Sequence, residues 1–290
     1  MLAAAKIRQA CFRTSHIFLP QRGTIHLTDI FNRNYEQIKY HLSYRLEGRD
    51  CMSDRSIPSV EPNPGLVHTA IQAITQHIRS EGLQPGDLLP SEAAMTRQLN
   101  VSRTIVREAF RSLSAMRLID MSAGRRASVA KLDTGAMSMV IEHGITTQQI
   151  SVQQVYDVRR TIEIRTVALA AMRRSDQEAE AIASSARSMR ESYKSADLVM
   201  QHDIAFHEQI AAASHNPVFA LIVTAFSGVT RRTWVIGWKT RSSEEQQLDM
   251  IKSHEDIAEA ILKGDPRLAA AHMAEHFDKS VKALIDAGIA

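Results

Sequence analysis

The stretch LPSEAAMTRQLNVSRTIVREAFRSLSAMRL, residues 89–118, predicts two short amphipathic helices separated by a break. Ser91 is suited to cap the first helix, and Ser102 is suited to cap the second. Asn100 favours a break between them, because asparagine tolerates left-handed backbone conformations. Apolar residues recur at helical spacing along one face of the second helix: Ile105, Val106, Ala109, Phe110 and Leu113.

The opposite face of the second helix is polar and basic, with Arg103, Thr104, Arg107 and Arg111. A helix pair whose second member exposes arginines has the plan of a helix-turn-helix, in which the second helix enters the major groove of DNA. A solvated basic face on an ordinary helix pair would carry the same charges. The flanking sequence therefore has to decide between the two interpretations.

The flanks favour the DNA-binding interpretation. Residues 66–78 form a third amphipathic helix pattern, and residues 118–121 and 127–130 are short strand candidates around a turn at Gly124 and Arg125. Together they predict a winged helix-turn-helix of three helices and a β-hairpin wing. A wing tip lies at the minor groove or the DNA backbone, where an arginine is attracted by the phosphates.

Two segments of this region resemble the GntR family of winged-helix transcription regulators: GLQPGDLLPSE (residues 82–92) and VSRTIVREAFRSL (residues 101–113). The resemblance extends from about Leu66 to Leu132. It implies that the start of the recognition helix and the wing tip contact operator DNA. We therefore predict these DNA-binding residues: Ser102, Arg103, Thr104, Arg107, Gly124 and Arg125.

The length of 290 residues favours two domains, and a hydrophobic fraction of 44% allows a sizeable core. The formal net charge is only +3, so any basic surface must be local. Cys11 and Cys51 are the two cysteines, which indicates a reducing compartment, and we predict a cytoplasmic protein. No apolar run reaches the roughly 18 residues of a membrane span, so no membrane partner is expected.

Residues 1–60 form an N-terminal extension that the winged helix does not need. Its first 28 residues contain no Asp or Glu, a composition that resembles a transit peptide. The alternative is that translation starts at Met52, and we favour this interpretation. We therefore expect the extension to be disordered or not translated.

We expect the winged helix-turn-helix to span residues 64–132 and an all-helical domain to span residues 137–286, so that the fold is mainly α. The C-terminal domain is predicted to be a bundle of six or seven helices, because its polar and apolar residues follow helical periodicity throughout. The approximate spans are 137–143, 148–173, 176–193, 197–213, 217–238, 243–263 and 266–286.

Four residues of this bundle could form a metal site. Asp203 and His207 share a helical face at i,i+4 spacing, and His254 and His276 lie on two later helices. One carboxylate and three imidazoles suit Zn²⁺, Ni²⁺ or Mn²⁺ and leave positions open for water or ligand oxygens. His272 shares a face with His276, and spacing alone does not choose between them. Most single histidines are surface or core residues, so spacing by itself is a weak signal.

Residues 137–285 resemble the FCD effector domain of the FadR subgroup. The motifs that carry the resemblance are DIAFH (203–207), SHNP (214–217), HEDIAEAI (254–261) and HMAEH (272–276). The resemblance implies an all-helical fold that binds a divalent metal, with zinc as the first expectation and nickel or manganese as alternatives. It implies these metal ligands and excludes His272: Asp203, His207, His254 and His276.

In that family the metal helps to hold a small carboxylate effector, such as a sugar acid. Arg159 falls on the family's usual arginine position, and a guanidinium fork matches a carboxylate. The alternative is a surface ion pair between Arg159 and Glu163, which would contribute little stability. Asn216 is the second candidate for effector binding, and its alternative is a turn residue before Pro217.

The combined prediction is a homodimeric, ligand-responsive repressor that releases its operator when a small carboxylate binds at the metal. One alternative is a DNA-binding regulator whose helical domain only dimerises and whose metal is structural. A less favoured alternative is a metal-dependent hydrolase, since a metal with open positions can activate water. No motif supplies a nucleophile or general base, and we therefore predict that the protein is not an enzyme.

Overall fold

The computed structural model describes residues 64–289, which contain eleven helices and one two-stranded hairpin. The predicted N-terminal extension lies outside the described residues. The mainly helical fold class is confirmed. None of the described helices is long and apolar enough to cross a membrane. The first five elements are α1 (Pro64–Ser80), α2 (Glu92–Leu99), α3 (Arg103–Ala115), β1 (Ile119–Asp120) and β2 (Ser128–Val129).

Helices α2 and α3 begin and end where their capping residues predict. Ser91 accepts a hydrogen bond from the backbone N–H of Ala94 at 3.2 Å, and Ser102 accepts one from Ile105 at 3.3 Å. Asn100 ends α2 in the left-handed conformation, with φ of 51°. These local interactions fix the break between the two helices, because each satisfies backbone groups that the helix ends leave unpaired.

The apolar face of α3 forms the centre of the winged-helix core. Phe110 is 2% exposed, and it belongs to a buried cluster with residues from α1, α2, β1 and the turn before β2. Truncation of such a side chain to alanine costs about 3–5 kcal/mol. Because this face is buried, the arginine-bearing face of α3 points to solvent. The buried residues are Ala70, Ile74, Leu89, Met95, Ile105, Val106, Ala109, Phe110, Leu113, Ile119 and Ala127.

The predicted wing is present as a short antiparallel hairpin. Ile119 pairs with Val129, and an isolated bridge between Leu88 and Ser128 joins the preceding loop to the hairpin. Arg126 donates two hydrogen bonds to the carbonyl of Leu89, from Nε at 2.9 Å and from Nη2 at 2.5 Å. The base of the wing is therefore held against the loop that leads into α2.

The helical part that follows contains eight helices, where six or seven were predicted. They are α4 (Gly135–Thr146), α5 (Val152–Arg173), α6 (Asp176–Glu191), α7 (Ala196–Ala213), α8 (Pro217–Ala225), α9 (Ser227–Thr240), α10 (Glu244–Leu262) and α11 (Pro266–Asp286).

Two predicted helix limits were wrong. The single helix expected over 217–238 is divided at Phe226, whose backbone N–H bonds to Val223, three residues back, and tightens the turn. The helix expected from residue 148 begins at Val152, because Gln148 has a φ of 58° and Ser151 forms a capping box with Gln154.

The main core of the helical part lies between α5, α6, α7, α10 and α11. Its largest fully buried side chains include Phe206 on α7 and Phe277 on α11. A smaller apolar cluster connects α4, the first helix after the wing, to the rest of this part. In it the buried side chains of Phe226 and Val229 pack with Ile141 and Ile145 of α4.

Candidate functional site

The predicted recognition surface lies at the start of α3. Ser102, Arg103, Thr104 and Arg107 are all exposed, as their predicted contact with DNA requires. The Nε atom of Arg107 lies 3.7 Å from a carboxylate oxygen of Glu92. Such an exposed ion pair contributes little stability and is readily exchanged for a phosphate.

The wing supplies the two remaining residues of the predicted DNA contact. Gly124 has a φ of +73° and no heavy atom within 4 Å of the position of a Cβ, so the turn is tight and its surroundings are open. Arg125 is exposed at this turn, whereas its neighbour Arg126 is bonded to the Leu89 carbonyl. Both arginines are exposed, and Arg125 is the one whose guanidinium is not bonded to the Leu89 carbonyl.

Three helices bring the four predicted metal ligands together. Asp203 and His207 lie on α7, His254 on α10 and His276 on α11, and none is more than 6% exposed. One ring nitrogen from each of the three histidines lies within 4.8 Å of the other two. An oxygen of Asp203 lies 3.0 Å from Nε2 of His254. Half-buried His272 is not part of this cluster.

The His254 ring shows that this cluster suits a cation. Its Nδ1 lies 3.0 Å from the carbonyl of Met250, which can only accept, so Nδ1 carries the proton. In the neutral ring Nε2 is then a bare acceptor, and it faces an acceptor oxygen of Asp203. Nε2 is buried and has no hydrogen-bond partner among the described residues. A divalent ion bound to both atoms would satisfy them, so the donor set fits a metal.

His207 is held from behind by Glu163 of α5. Its Nδ1 donates to an oxygen of Glu163 at 2.5 Å, which leaves Nε2 facing Asp203, 4.0 Å from Oδ1. Arg159 donates from Nε to the other oxygen of Glu163 at 2.8 Å and from Nη1 to the hydroxyl of Thr230 at 2.8 Å. The alternative prediction of an Arg159–Glu163 ion pair is right about the pair but wrong about its position. Both side chains are buried, at 5% and 3% exposure, and do not lie on the surface.

The cluster favours an ionised Asp203 and a neutral His276. Burial opposes the ionisation of Asp203, but the three neighbouring imidazole rings, His254 foremost, outweigh it and hold the pKa of Asp203 well below its usual range. Burial, reinforced by His254 and His207, lowers the pKa of His276 well below its usual value. An ionised carboxylate and a neutral imidazole are the forms that bind metals.

A small cavity of about 40 Å³ lies beside the cluster. Arg159, Asp203, His207 and His276 line it together with hydroxyl groups and aromatic rings from α5, α9 and α11. A larger cleft of about 440 Å³ adjoins it, between the end of α9, α10 and α11. Residues that line both are Arg241, Met250, His276 and Ser280. We call these two spaces the inner cavity and the outer cleft.

The structure does not bring Asn216 to this site. Its side chain accepts a hydrogen bond from the backbone N–H of Val218 at 3.0 Å and caps α8, and Asn216 does not line the inner cavity. The sequence interpretation also missed Glu163 as the support of His207, as well as Thr230 and Arg241. The i,i+4 spacing of Arg159 and Glu163 was visible, but no local pattern joins Glu163 to a histidine 44 residues away.

Comparisons with known proteins agree with both parts of this structure. Residues 66–129 match the family model of bacterial regulatory proteins of the gntR family, and residues 154–279 match the FCD domain model. The HTH-type transcriptional regulator LutR of Bacillus subtilis is 29% identical over 206 residues, which cover 69% of this chain and 92% of that protein. The galactonate operon transcriptional repressor of Escherichia coli is 30% identical over 187 residues, which cover 62% of this chain and 80% of that protein.

A solved structure has the same fold. A GntR protein of Streptococcus agalactiae superimposes with a TM-score of 0.55 at 18% identity, over 73% of this chain and 97% of that one. The relatives are named as transcription regulators and not as enzymes. The chain belongs to the GntR family of DNA-binding transcription regulators, in its FadR-like subgroup with an FCD domain.

Proposed function

We propose that this regulator is a homodimeric repressor that leaves its operator when a small carboxylate, such as a sugar acid, binds at a divalent metal in the FCD domain. The observation that carries the proposal is the buried Asp203, His207, His254 and His276 cluster beside the inner cavity, with the unpartnered Nε2 of His254. One relative fits this class, since it is named as a repressor of a galactonate operon.

The four ligands would hold the metal, with zinc as the first candidate and nickel or manganese as alternatives. The ion would supply a positive centre that attracts a carboxylate oxygen. Glu163 fixes the ring of His207 by accepting its Nδ1 proton, and Arg159 presents a guanidinium edge to the inner cavity. Fixed orientation of these groups would favour binding, since little side-chain entropy remains to be lost.

Contacts within α9 provide a connection between this cavity and the winged helix. Thr230 of α9 accepts a hydrogen bond from Arg159, and the adjacent Val229 packs with Ile141 of α4, the helix that directly follows the wing. A shift of α9 when the cavity fills would therefore be passed to α4. The effector would change DNA affinity only by the difference in its affinity for the two arrangements.

At the operator, the start of α3 would enter the major groove, with Arg103 and Arg107 directed at base edges and phosphates, and Arg125 at the wing tip would contact the backbone. A dimer would place two such helices on a pseudo-palindromic site, one for each half-site.

Two alternatives make different predictions. A bundle that only dimerises with a structural metal would lose folding when His207 is replaced, whereas a sensor would keep folding and DNA binding but lose its response to acid. A metal-dependent hydrolase would need a nucleophile or general base at the cluster. Glu255, the carboxylate next to His254 in sequence, is paired with Arg190 on α6 and does not line the inner cavity.

The experiment that tests the proposal measures operator release by fluorescence anisotropy. Labelled DNA selected in vitro for tight binding is held by the full chain, and galactonate and other small hydroxy- and keto-acids are titrated in. We expect at least one acid to release the DNA from the zinc-loaded wild type but not from the chelator-treated protein or from His207→Ala. No release by any acid would contradict the proposal.

A further inference from the structure

Arg241 stands out among the residues between the inner cavity and the outer cleft. It follows α9 directly and lines both spaces. One of its terminal nitrogens, Nη1, donates to the backbone carbonyl of Gly237, and Arg241 forms no ion pair with any carboxylate of residues 64–289. Burial lowers the pKa of Arg241 from its usual value, which reflects a charge with limited access to water.

A partly buried guanidinium without a counter-ion is unusual, because the desolvation of the charge is normally compensated by an anion. The other arginine of the inner cavity, Arg159, is already neutralised by Glu163 at 2.8 Å. In the outer cleft Lys279 is likewise paired, at 3.1 Å from Asp249 and 3.2 Å from Glu275. Exposed Lys282 also lines the outer cleft without an ion pair among the described residues, but Arg241 is the unpaired cation that lines both spaces.

The charges of the site indicate how many anionic groups the ligand carries. With neutral histidines and the proposed divalent metal bound, the metal contributes two positive charges and Arg159 contributes one. Asp203 and Glu163 each contribute one negative charge. The net charge of the inner site would therefore be +1. A single carboxylate would balance that charge. Arg241 adds one further positive charge at the opening of the inner cavity, where a second carboxylate of the same ligand would meet it.

The volumes of the two spaces also fit a ligand with two carboxylates. The inner cavity, at about 40 Å³, accommodates one carboxylate and its immediate substituents, and the remainder of a longer acid would extend past Arg241 into the outer cleft of about 440 Å³. Hydroxyl groups line both, from Thr233 inside and from Thr240 and Ser253 outside, so a hydroxylated chain would find hydrogen-bond partners along its length.

We propose that the effector is a dicarboxylic hydroxy acid that spans both spaces, with one carboxylate at the metal cluster and the other on the guanidinium of Arg241. This inference rests on the proposed function, since it assumes that the cluster receives a carboxylate. It goes beyond that function by naming the ligand class and the residue that selects it.

The test is calorimetric titration of the zinc-loaded full chain with two matched pairs of acids. Galactarate and galactonate share one skeleton, malate and 2-hydroxybutyrate share another, and in each pair the monoacid keeps the α-hydroxy carboxylate and lacks the distal one. We expect the diacid of at least one pair to bind about tenfold tighter or more than its monoacid. Arg241→Gln should remove this preference by weakening the diacid alone.

The matched control is Arg232→Gln, which removes the same charge from an exposed position on α9 that lines neither space. It should keep the preference of the wild type, and ligand-free melting of both variants checks that they fold. Two outcomes would overturn this inference and leave the proposed function standing. One is equal affinity for the diacid and the monoacid in each pair that binds, and the other is equal weakening of both acids by Arg241→Gln. Failure of every acid to bind the zinc-loaded wild type overturns the proposed function as well.

Discussion

Nε2 of His254 and Oδ2 of Asp203 lie 3.0 Å apart in the buried interior, and Nε2 has no hydrogen-bond partner among the described residues. In the neutral His254 ring the proton is on Nδ1, which donates to the Met250 carbonyl, so that two acceptor atoms face each other. Such an arrangement is costly unless a cation lies between the two atoms. This relationship is the basis for expecting a metal at the cluster.

Replacement of His276 by alanine should remove the metal. His276 belongs to the buried histidine cluster, whereas His272, one turn earlier on the same helix, does not. We expect wild-type protein and His272→Ala to retain about one ion per chain after dialysis, and His276→Ala to retain far less, as measured by plasma mass spectrometry. Equal metal content in the two variants would show that the cluster does not hold the ion.

Glu163→Gln should weaken metal binding although Glu163 is not a proposed ligand. The carboxylate orients His207 through Nδ1, and loss of such support lowers metal affinity about 10- to 100-fold. The change also leaves Arg159 without its buried counter-ion, so the free energy of unfolding should fall by about 3 kcal/mol. Chelator competition and urea unfolding measure the two effects. Glu180→Gln, on the surface of α6, is the control and should change neither by a comparable amount.

Arg103→Ala should impair operator binding and leave the rest of the protein intact. Arg103 is exposed at the start of α3, where a base contact is worth about 1–3 kcal/mol, or roughly 5- to 150-fold in affinity. Anisotropy with operator DNA measures the loss, and the melting temperature should stay within error of the wild type. Lys239→Ala removes an exposed charge from α9 and serves as the control. An Arg103→Ala protein that binds DNA normally would exclude this orientation of the recognition helix.

The two adjacent arginines of the wing should behave differently. Arg125→Ala is expected to weaken binding to all DNA sequences and to reduce the slope of log affinity against log salt concentration by about 1, because one phosphate contact is lost. Arg126→Ala should instead lower the free energy of unfolding by about 1–2 kcal/mol, since its bonds to the Leu89 carbonyl hold the base of the wing. Anisotropy at several salt concentrations and urea unfolding separate the two effects.

Asn216→Ala should act on stability alone. The Asn216 side chain caps α8 by accepting from Val218, and loss of such a cap costs about 1 kcal/mol. Acid binding, followed by calorimetry, should be unchanged because Asn216 does not line the inner cavity. A selective loss of acid affinity with normal stability would restore the effector role that the sequence suggested for it.

The features that the sequence predicted well are those set by local interactions. Ser91, Asn100 and Ser102 act on backbone groups within a few residues, so the limits of α2 and α3 could be read directly. The support of His207 by Glu163 could not be predicted, because it joins α5 to α7 across 44 residues. The break at Phe226 was missed for a different reason: it is one tightened backbone turn within a continuous apolar pattern.

Burial changed the meaning of one pattern that had been recognised. The spacing of Arg159 and Glu163 predicts an ion pair on any helix, but it does not say whether that pair faces water. In the structure the pair is buried and forms part of the support for the proposed metal ligands. The selection of His276 over His272 likewise depended on family resemblance, since both share a helical face, and the structure places only His276 in the cluster.

The central claim is tested most directly by the melting temperature of the full chain in two states, stripped of metal by a chelator and reloaded with Zn²⁺. Each state is measured without acid and with galactarate, galactonate or another small acid. Ligand at a hundredfold excess over its dissociation constant stabilises the folded state by about 2.7 kcal/mol. The account predicts that at least one acid raises the melting temperature of the reloaded protein and leaves the stripped protein unchanged. Acid-induced shifts that are the same with and without the metal, or no shift with any acid, would contradict it.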